Sequence, residues 1–192
     1  SFTGGLIAPD YDNNPWNYKF TWNPRNVVLA GQGTTMFIRD GQYKYVPYHQ
    51  LYRTTETTSI QNLGEYEVYP NRDSLKYREV YSLPDVKTLI RGTIRCKGYC
   101  EAWNVFVQLG MTDDSYSMDY TPNQTWYDFT NSFLPAGKTG SIQERLGNYL
   151  NIPVDGEIMS KLSWLGLFDN TPTGMQNATP AQILLHKLES KW

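Results

Sequence analysis

The hydrophobic pattern of the chain changes its period near Gly98, and this change limits the folds that the chain can adopt. Before Gly98, short alternating segments are separated by turn residues, and two of them flank Asp40-Gly41, the strongest hairpin signal in the sequence. After it, apolar residues recur at helical spacing and no strand signal interrupts them. Strand-forming segments followed by a run of helices are typical of an α+β fold.

The first half of the chain contains the predicted strands. Alternation and turn residues predict strands at 17–22, 34–39, 42–46, 66–69 and 88–96. Asn23 before Pro24 is a helix-start signal and predicts a short helix that ends before Gly31. A second short helix is predicted from Asp73, a possible cap, to Tyr81.

The second half is predicted to be helical, with helices at 99–110, 122–134, 141–150, 155–168 and 179–190. Ser141 with Glu144 forms a capping box, and Thr179 before Pro180 is a further helix-start signal. The polar stretch 112–121 is the best linker candidate. We therefore predict an α+β domain over residues 1–111 and a small helical subdomain over residues 112–192.

Composition argues against several classes of partner. The 17 Lys and Arg residues nearly balance the 19 Asp and Glu residues, so no nucleic-acid-binding surface is indicated. We expect no membrane span and no signal peptide, because no long apolar run is present. Cys96 and Cys100 have no metal-ligand spacing to His49 or His186. We therefore expect no metal and two reduced thiols in a cytoplasmic protein.

The chain lacks the motifs of a complete dehydrogenase. Dinucleotide binding needs a strand, a glycine-rich turn and a helix, but Gly31-Gln-Gly33 lacks the third glycine and precedes a strand. With only two histidines, no Ser/His/Asp or Cys/His arrangement is recognisable either. We therefore expect this chain to be inactive when it is alone.

Four blocks of sequence, in a fixed order, carry a family resemblance. The first is Ser1-Phe-Thr-Gly-Gly-Leu-Ile-Ala-Pro9, continuing to Tyr18-Lys-Phe-Thr-Trp22-Asn-Pro-Arg25. The others are Val68-Tyr-Pro-Asn-Arg-Asp-Ser74, then Ile90-Arg-Gly-Thr-Ile-Arg95 with Gly98-Tyr99, and Leu162-Ser-Trp-Leu-Gly-Leu-Phe168. Together they resemble the saccharopine dehydrogenases of the NADP-linked, glutamate-forming kind, also called saccharopine reductases. The chain departs from that family at Phe2, Thr3 and Ile7 and between residues 113 and 151.

The resemblance implies a fold, a reaction and partners. The fold would be an antiparallel or mixed sheet with helices on one face, like the second domain of glyceraldehyde-3-phosphate-dehydrogenase-like enzymes, plus a helical insert. The parent enzyme would interconvert saccharopine with L-glutamate and 2-aminoadipate 6-semialdehyde in lysine metabolism. NADP would be bound mainly by a Rossmann domain that this sequence does not contain. A homodimer formed through the open sheet is also expected.

The implied substrate carries several carboxylates, so its site should contain arginines that bind a carboxylate with two hydrogen bonds. Arg25 is the first candidate, because it lies at a predicted helix start and matches the family's substrate-contacting arginine. Thr3, Gly4 and Gly5 come next, because glycines at a bend allow substrate or nicotinamide to approach closely.

Three further cations are weaker candidates. Lys19 lies on the predicted strand 17–22 and either points to the ligand or is solvated. Arg72 either contacts substrate or stabilises a strand-to-helix turn, and the second interpretation is preferred. Arg91 and Arg95 have the even spacing that places both on one face of a strand, where pairing with protein carboxylates is the default.

Two alternatives stay open. Carboxynorspermidine-type dehydrogenases of polyamine synthesis share the architecture, and their substrates also carry carboxylates. A non-catalytic, aromatic-rich binding module would instead use Tyr43, Tyr45, Tyr48 and Tyr52. An enzyme fragment predicts a one-sided cleft that brings Arg25 and Gly4 together, whereas a binding module predicts coplanar, exposed tyrosines.

Overall fold

The computed structural model describes residues 13–21, 23–29 and 32–192. These residues form two compact units, one of residues 32–100 and one that joins the described part of 13–29 to residues 101–192. Compact packing does not measure independent folding, so the predicted domains 1–111 and 112–192 stay a prediction.

The order of the elements confirms the α+β class. All described strands precede Lys97, and the longer helices follow Gly98. In chain order the elements are α1 (Pro24–Leu29), β1 (Thr35–Arg39), β2 (Gln42–Val46), α2 (Tyr48–Leu51), β3 (Glu56–Ile60), β4 (Gly64–Pro70), α3 (Lys76–Val80), β5 (Gly92–Cys96), α4 (Tyr99–Leu109), α5 (Trp126–Asn131), α6 (Ile142–Leu150), α7 (Glu157–Leu165) and α8 (Pro180–Glu189).

The predicted hairpin is confirmed. Strands β1 and β2 pair antiparallel with Thr35 opposite Val46, and the turn residues Asp40 and Gly41 both have positive φ, 51° and 77°. Two consecutive positive φ angles are the signature of a type I′ turn, whose twist matches that of the strands it joins. The backbone therefore follows the local signal of Asp40-Gly41.

The second sheet is antiparallel, in the order β3, β4, β5, and it differs from prediction at two strands. Strand β3 has the mostly polar sequence Glu-Thr-Thr-Ser-Ile and was missed, because pairing with β4 defines it rather than apolar alternation. The predicted strand 88–96 is divided between partners. Leu89 bridges to Ile38 of β1, whereas only 92–96 pair with β4.

The prediction of a strand at 17–22 is wrong for residues 17–21, which have no strand partner among the described residues. The aromatic alternation has another cause. Trp16, Tyr18 and Phe20 all pack their rings against Trp192, with centroid distances of 5.4, 5.0 and 5.3 Å. A period-two pattern shows which side chains are buried, and here an aromatic cluster buries them instead of a sheet.

The predicted helix starts of the second half are confirmed at two caps. Ser141 and Glu144 form a capping box at α6, and Thr179 accepts the N–H of Gln182 at α8. The hydrogen bonds that Ser141 donates lower the pKa of Glu144. The helices are shorter than predicted, as at α5, where the cap is Thr125 rather than a residue near 122.

Glu67 is a buried acid whose role the sequence did not indicate. It lies on β4, and its two carboxylate oxygens each accept a backbone N–H, from Gly98 and from Cys100, both at 2.9 Å. The start of a helix leaves backbone N–H groups without an intrahelical acceptor, and a carboxylate satisfies them well. Glu67 therefore fixes the start of α4 against the middle strand of its sheet.

We expect Glu67→Gln to lower the free energy of unfolding by about 1–3 kcal/mol, because one amide oxygen replaces two acceptors for buried donors. Urea unfolding measures the effect. The matched control is Glu65→Gln on the same strand, where an exposed carboxylate lies 3.5 Å from Lys97. That control should change stability by less than about 0.5 kcal/mol. Equal effects of the two substitutions would contradict the capping role.

Lys187 on α8 is buried, with its ammonium 4.3 Å from the centre of the Trp126 ring. Burial lowers the pKa of Lys187, and nearby Asp169 opposes that shift in part. The unfolded chain then binds more protons than the folded chain between the two pKa values, so stability should rise with pH in that range.

We expect Lys187→Met to remove this part of the pH dependence. As the pH rises toward the ordinary lysine pKa of about 10.4, the folded-state amine loses its proton first, so the free energy of unfolding of the natural chain should rise relative to that of the variant. Lys138→Met is the control, because Lys138 is exposed and is not among the groups that shift the pKa of Lys187. If the free energies of unfolding of the natural chain and of Lys187→Met changed in parallel with pH, the destabilising effect of burying the Lys187 charge would be refuted.

Candidate functional site

Arg25 lies in the first turn of α1, as the sequence predicted. The side chain of Asn23 accepts the backbone N–H of Asn26 at 3.2 Å, which confirms Asn23 as the cap, and Pro24 follows as the first helical residue. The Arg25 side chain is 61% exposed, and its Nη2 donates to Oδ2 of Asp114 at 2.7 Å. The cap thus positions the backbone of Arg25, and the ion pair with Asp114 positions its guanidinium group.

Asp114 is itself held in place. The hydroxyl of Thr179 donates to Oδ1 of Asp114 at 2.6 Å, and the carbonyl of Asp113 accepts the N–H of Ala181 at 2.9 Å. Both partners belong to the start of α8, so the predicted linker is tied to that helix. No sequence signal pointed to Asp114, because an acidic pair in a polar stretch is also typical of a solvated turn.

A cleft of about 180 Å³ lies beside this ion pair. Its walls come from two helices and one loop: Arg25, Val28, Leu29, Asp114, Ala181, Gln182 and Leu185. Sites that enclose a whole small molecule usually have about 300–1,000 Å³. This cleft can therefore admit one end of a ligand, and its cation suits an end that carries a carboxylate.

The other candidates near the start of the chain are only partly described. Thr3, Gly4 and Gly5 lie outside the described residues, so their predicted contacts stay predictions. Lys19 is half-buried and shows no hydrogen bond or ion pair within the described part of the chain. Its role as a ligand contact stays a prediction as well.

Arg72 and Arg91 lie in the unit of residues 32–100, where their backbones form a joint between strands. The carbonyl of Arg72 accepts the N–H of Met36 at 3.0 Å, and the N–H of Ser74 donates to the Met36 carbonyl at 2.8 Å. The carbonyl of Arg91 accepts the N–H of Asn71 at 2.8 Å, while its own N–H donates to the Ser74 hydroxyl at 2.9 Å. Arg72 has a positive φ of 55° at this joint. A substrate role for either side chain stays a prediction.

The prediction that Arg91 and Arg95 share one strand face is wrong. Strand β5 begins at Gly92, so Arg91 precedes it. The two guanidinium groups lie over different rings, that of Arg91 5.8 Å from the centre of Tyr77 and that of Arg95 5.1 Å from the centre of Tyr99.

The unit of residues 32–100 has a larger cleft, of about 440 Å³, that the sequence did not predict. At its edge Arg39 and Glu56 form a two-point ion pair, and the hydrogen bonds that Arg39 donates to the Glu56 carboxylate raise the pKa of Arg39. Most of the remaining wall is apolar, from residues such as Phe37, Val46 and Val68. Because Glu56 engages both terminal nitrogens of Arg39, whereas Asp114 engages only one of Arg25, this cleft offers fewer free donors to a carboxylate than the cleft at Arg25.

The tyrosines do not form a coplanar platform. Tyr43 and Tyr45 are 52% and 61% exposed, but Tyr52 is buried against Tyr69 with a ring distance of 4.9 Å. Tyr48 and Tyr52 meet at 75°, and burial raises the pKa of Tyr52 well above its usual value. The geometry predicted for a binding module is therefore not found among these four residues.

The described residues contain neither a metal-ligand cluster nor a membrane-crossing helix. No group of three or more His, Cys, Asp or Glu side chains there could hold a metal ion. No described helix has the length and apolar character that crossing a membrane requires.

These features define a class of protein: an α+β chain with a cationic cleft sized for part of a substrate and with no dinucleotide-binding motif. Comparison with known proteins gives the family. Residues 1–192 match the family described as Saccharopine dehydrogenase C-terminal domain. The chain therefore belongs to the saccharopine dehydrogenase C-terminal domain family.

Three relatives illustrate the match. Saccharopine dehydrogenase [NADP(+), L-glutamate-forming] of Saccharomyces cerevisiae is 32% identical over 183 residues, which cover 91% of this chain and 41% of that protein. Mitochondrial alpha-aminoadipic semialdehyde synthase of Rattus norvegicus is 32% identical over 87% of this chain and 19% of its own length. The solved structure of apo saccharopine dehydrogenase (L-Glu forming) from Saccharomyces cerevisiae matches with a TM-score of 0.78 at 30% identity, covering 97% of this chain and 43% of that chain. The chain thus spans less than half the length of these relatives.

Proposed function

We propose that this chain is the substrate-binding part of an oxidoreductase that acts on the CH–NH group of saccharopine in lysine metabolism. The reaction would interconvert saccharopine with L-glutamate and 2-aminoadipate 6-semialdehyde. Family membership supports the reaction class, since relatives carry that activity in their names. The observation that carries the role of this chain is the position of Arg25 at the rim of a cleft that fits one end of a ligand.

Arg25 suits a carboxylate for three physical reasons. Its guanidinium has five N–H donors, and only one of them is used by Asp114 among the described residues. Val28 and Leu29 line the cleft beside it, so the apolar part of a ligand can pack there while its carboxylate meets the guanidinium. A planar fork also matches a carboxylate with two hydrogen bonds.

The described residues do not fit NADP. Pyrophosphate binding needs a glycine-rich turn that opens a helix, whereas Gly33 has a positive φ of 96° and leads into strand β1. We propose that NADP, which the fungal relatives carry in their names, is bound by a nucleotide-binding domain in another part of the parent protein.

The remaining candidates complete the proposal. Thr3, Gly4, Gly5 and Lys19 would contact the rest of the substrate, with Arg72 and Arg91 as secondary candidates. We also propose a cytoplasmic location, which is supported by the reduced state of Cys96 and Cys100.

We propose a homodimer formed through the open sheet. Among the described strands, β2 pairs only with β1, and four of its five residues are exposed. An exposed edge strand is a template for pairing with another chain. Tyr45→Lys in the full-length protein should therefore shift the mass measured by light scattering toward the monomer, whereas Lys138→Glu in an exposed loop should not. An unchanged dimer mass in Tyr45→Lys would argue against this edge.

The test of the function uses the full-length protein that includes the nucleotide-binding domain. NADPH oxidation is followed with glutamate and aminoadipate semialdehyde, for the natural protein and for Arg25→Ala. We expect the substrate KM to rise by about 10- to 100-fold, because a charge-assisted, two-point contact is lost. Lys138→Ala removes an exposed positive charge elsewhere and should leave KM unchanged.

The outcomes separate the candidates. Turnover without an effect of Arg25→Ala would keep the reaction and reject Arg25 as the carboxylate contact. Turnover only with a diaminopropane-type amine would move the protein to the carboxynorspermidine branch. No turnover with either substrate would favour the non-catalytic binding module.

A further inference from the structure

We propose that Asp114 is a positioning residue for the substrate carboxylate, and this inference rests on the function proposed above. Asp114 does not touch the substrate in this proposal. It acts through Arg25, whose Nη2 donates to Asp114 Oδ2 at 2.7 Å. The consequence would be a guanidinium that is aimed into the cleft before the substrate arrives.

The need for such a residue follows from the exposure of Arg25. A side chain that is 61% exposed on a long, flexible stem samples many rotamers, and binding a ligand must order it. Ordering a rotamer-rich side chain weakens binding unless it is already ordered in the unbound protein. A single short ion pair to a fixed acceptor would supply that order in advance.

Asp114 qualifies as a fixed acceptor because it is anchored on its other oxygen. Thr179 donates to Oδ1 at 2.6 Å, and Thr179 is itself the cap of α8, where its hydroxyl oxygen accepts the N–H of Gln182. The Asp114 side chain is only 23% exposed. The chain of contacts therefore runs from a helix terminus through Thr179 and Asp114 to Arg25.

The geometry of the ion pair also leaves guanidinium donors of Arg25 available to a substrate carboxylate. Asp114 engages one terminal nitrogen through one oxygen, unlike Glu56, which takes both terminal nitrogens of Arg39. A one-point contact leaves another edge of the guanidinium for a carboxylate. Among the described residues, the Arg25–Asp114 pair therefore leaves donors free for a ligand, whereas in the Arg39–Glu56 pair both terminal nitrogens are occupied.

The opposing effect is repulsion between Asp114 and the incoming carboxylate. At a site this exposed, the interaction is weakened by solvent and salt. If positioning outweighs repulsion, removing Asp114 raises KM; if repulsion dominates, removing it lowers KM. The sign of the change therefore tests the proposal directly.

The experiment compares steady-state kinetics of full-length Asp114→Asn, Asp114→Glu and Thr179→Val with the natural enzyme. We expect Asp114→Asn to raise the substrate KM by about three- to tenfold with kcat within about twofold, as loss of preordering predicts. Asp114→Glu keeps the carboxylate and should recover part of the loss. Thr179→Val removes the anchor together with the hydroxyl cap of α8 but keeps the Asp114 carboxylate, so it should give an intermediate KM.

Two controls separate positioning from a general structural effect. Asp113→Asn removes the same charge one residue away, where the carboxylate accepts the N–H of Ser115 and no other hydrogen bond from the described residues, and it should leave KM unchanged. In an Arg25→Ala background, Asp114→Asn should add no further rise in KM. The nitrogen-15 NMR order parameter of the Arg25 side-chain N–H should also fall in Asp114→Asn, whatever the activity.

An unchanged or lowered KM in Asp114→Asn, or additive effects of the two substitutions, would overturn the inference. If Arg25→Ala still raises KM in that case, the proposed function stands without it. Absence of turnover in the natural full-length protein would instead remove the proposed function, and the positioning role would fall with it.

Discussion

Burial of Trp16 anchors the segment that precedes helix α1 to the helical part of the chain. Trp16 is 1% exposed, stacks on Phe106 at 5.7 Å, and donates its indole N–H to the carbonyl of Lys161 at 3.0 Å. The Trp192 ring also contacts Trp16 in an edge-on arrangement, with the ring centroids 5.4 Å apart. A buried tryptophan removes a large apolar area from water, so this contact contributes on the order of several kcal/mol. The packing of Trp16 holds the segment before α1 in place, and Arg25 lies in the first turn of that helix.

Apolar packing brings helices α1 and α8 together, and polar contacts then orient the side chains between them. Val27 and Val28 are buried on α1, and α1 packs against α8, whose first turn carries Thr179. The cap of α8 serves two purposes, since the Thr179 hydroxyl accepts from its own helix and donates to Asp114. The group that stabilises the start of α8 therefore also orients Asp114, the partner of the proposed ligand contact Arg25.

Sequence reasoning succeeded where structure depends on neighbours in the chain. Asp40-Gly41 specifies its own turn, and Ser141 finds its partner Glu144 three residues away. Sequence reasoning failed where a residue distant in the chain determines the local structure. Strand β3 exists because β4 pairs with it, and the aromatic alternation after Trp16 belongs to a cluster rather than to a sheet.

The features of the candidate site also fall into those that the sequence revealed and those that only the structure revealed. The sequence alone identified the family, the helix start at Asn23-Pro24 and the arginine that follows, because these are properties of adjacent residues. Only the tertiary structure paired Arg25 with Asp114, 89 residues away, and gave Glu67 the N–H groups of Gly98 and Cys100. Such contacts depend on which backbone groups and charges packing brings together, and a buried or half-buried charge must find a partner wherever the fold supplies one.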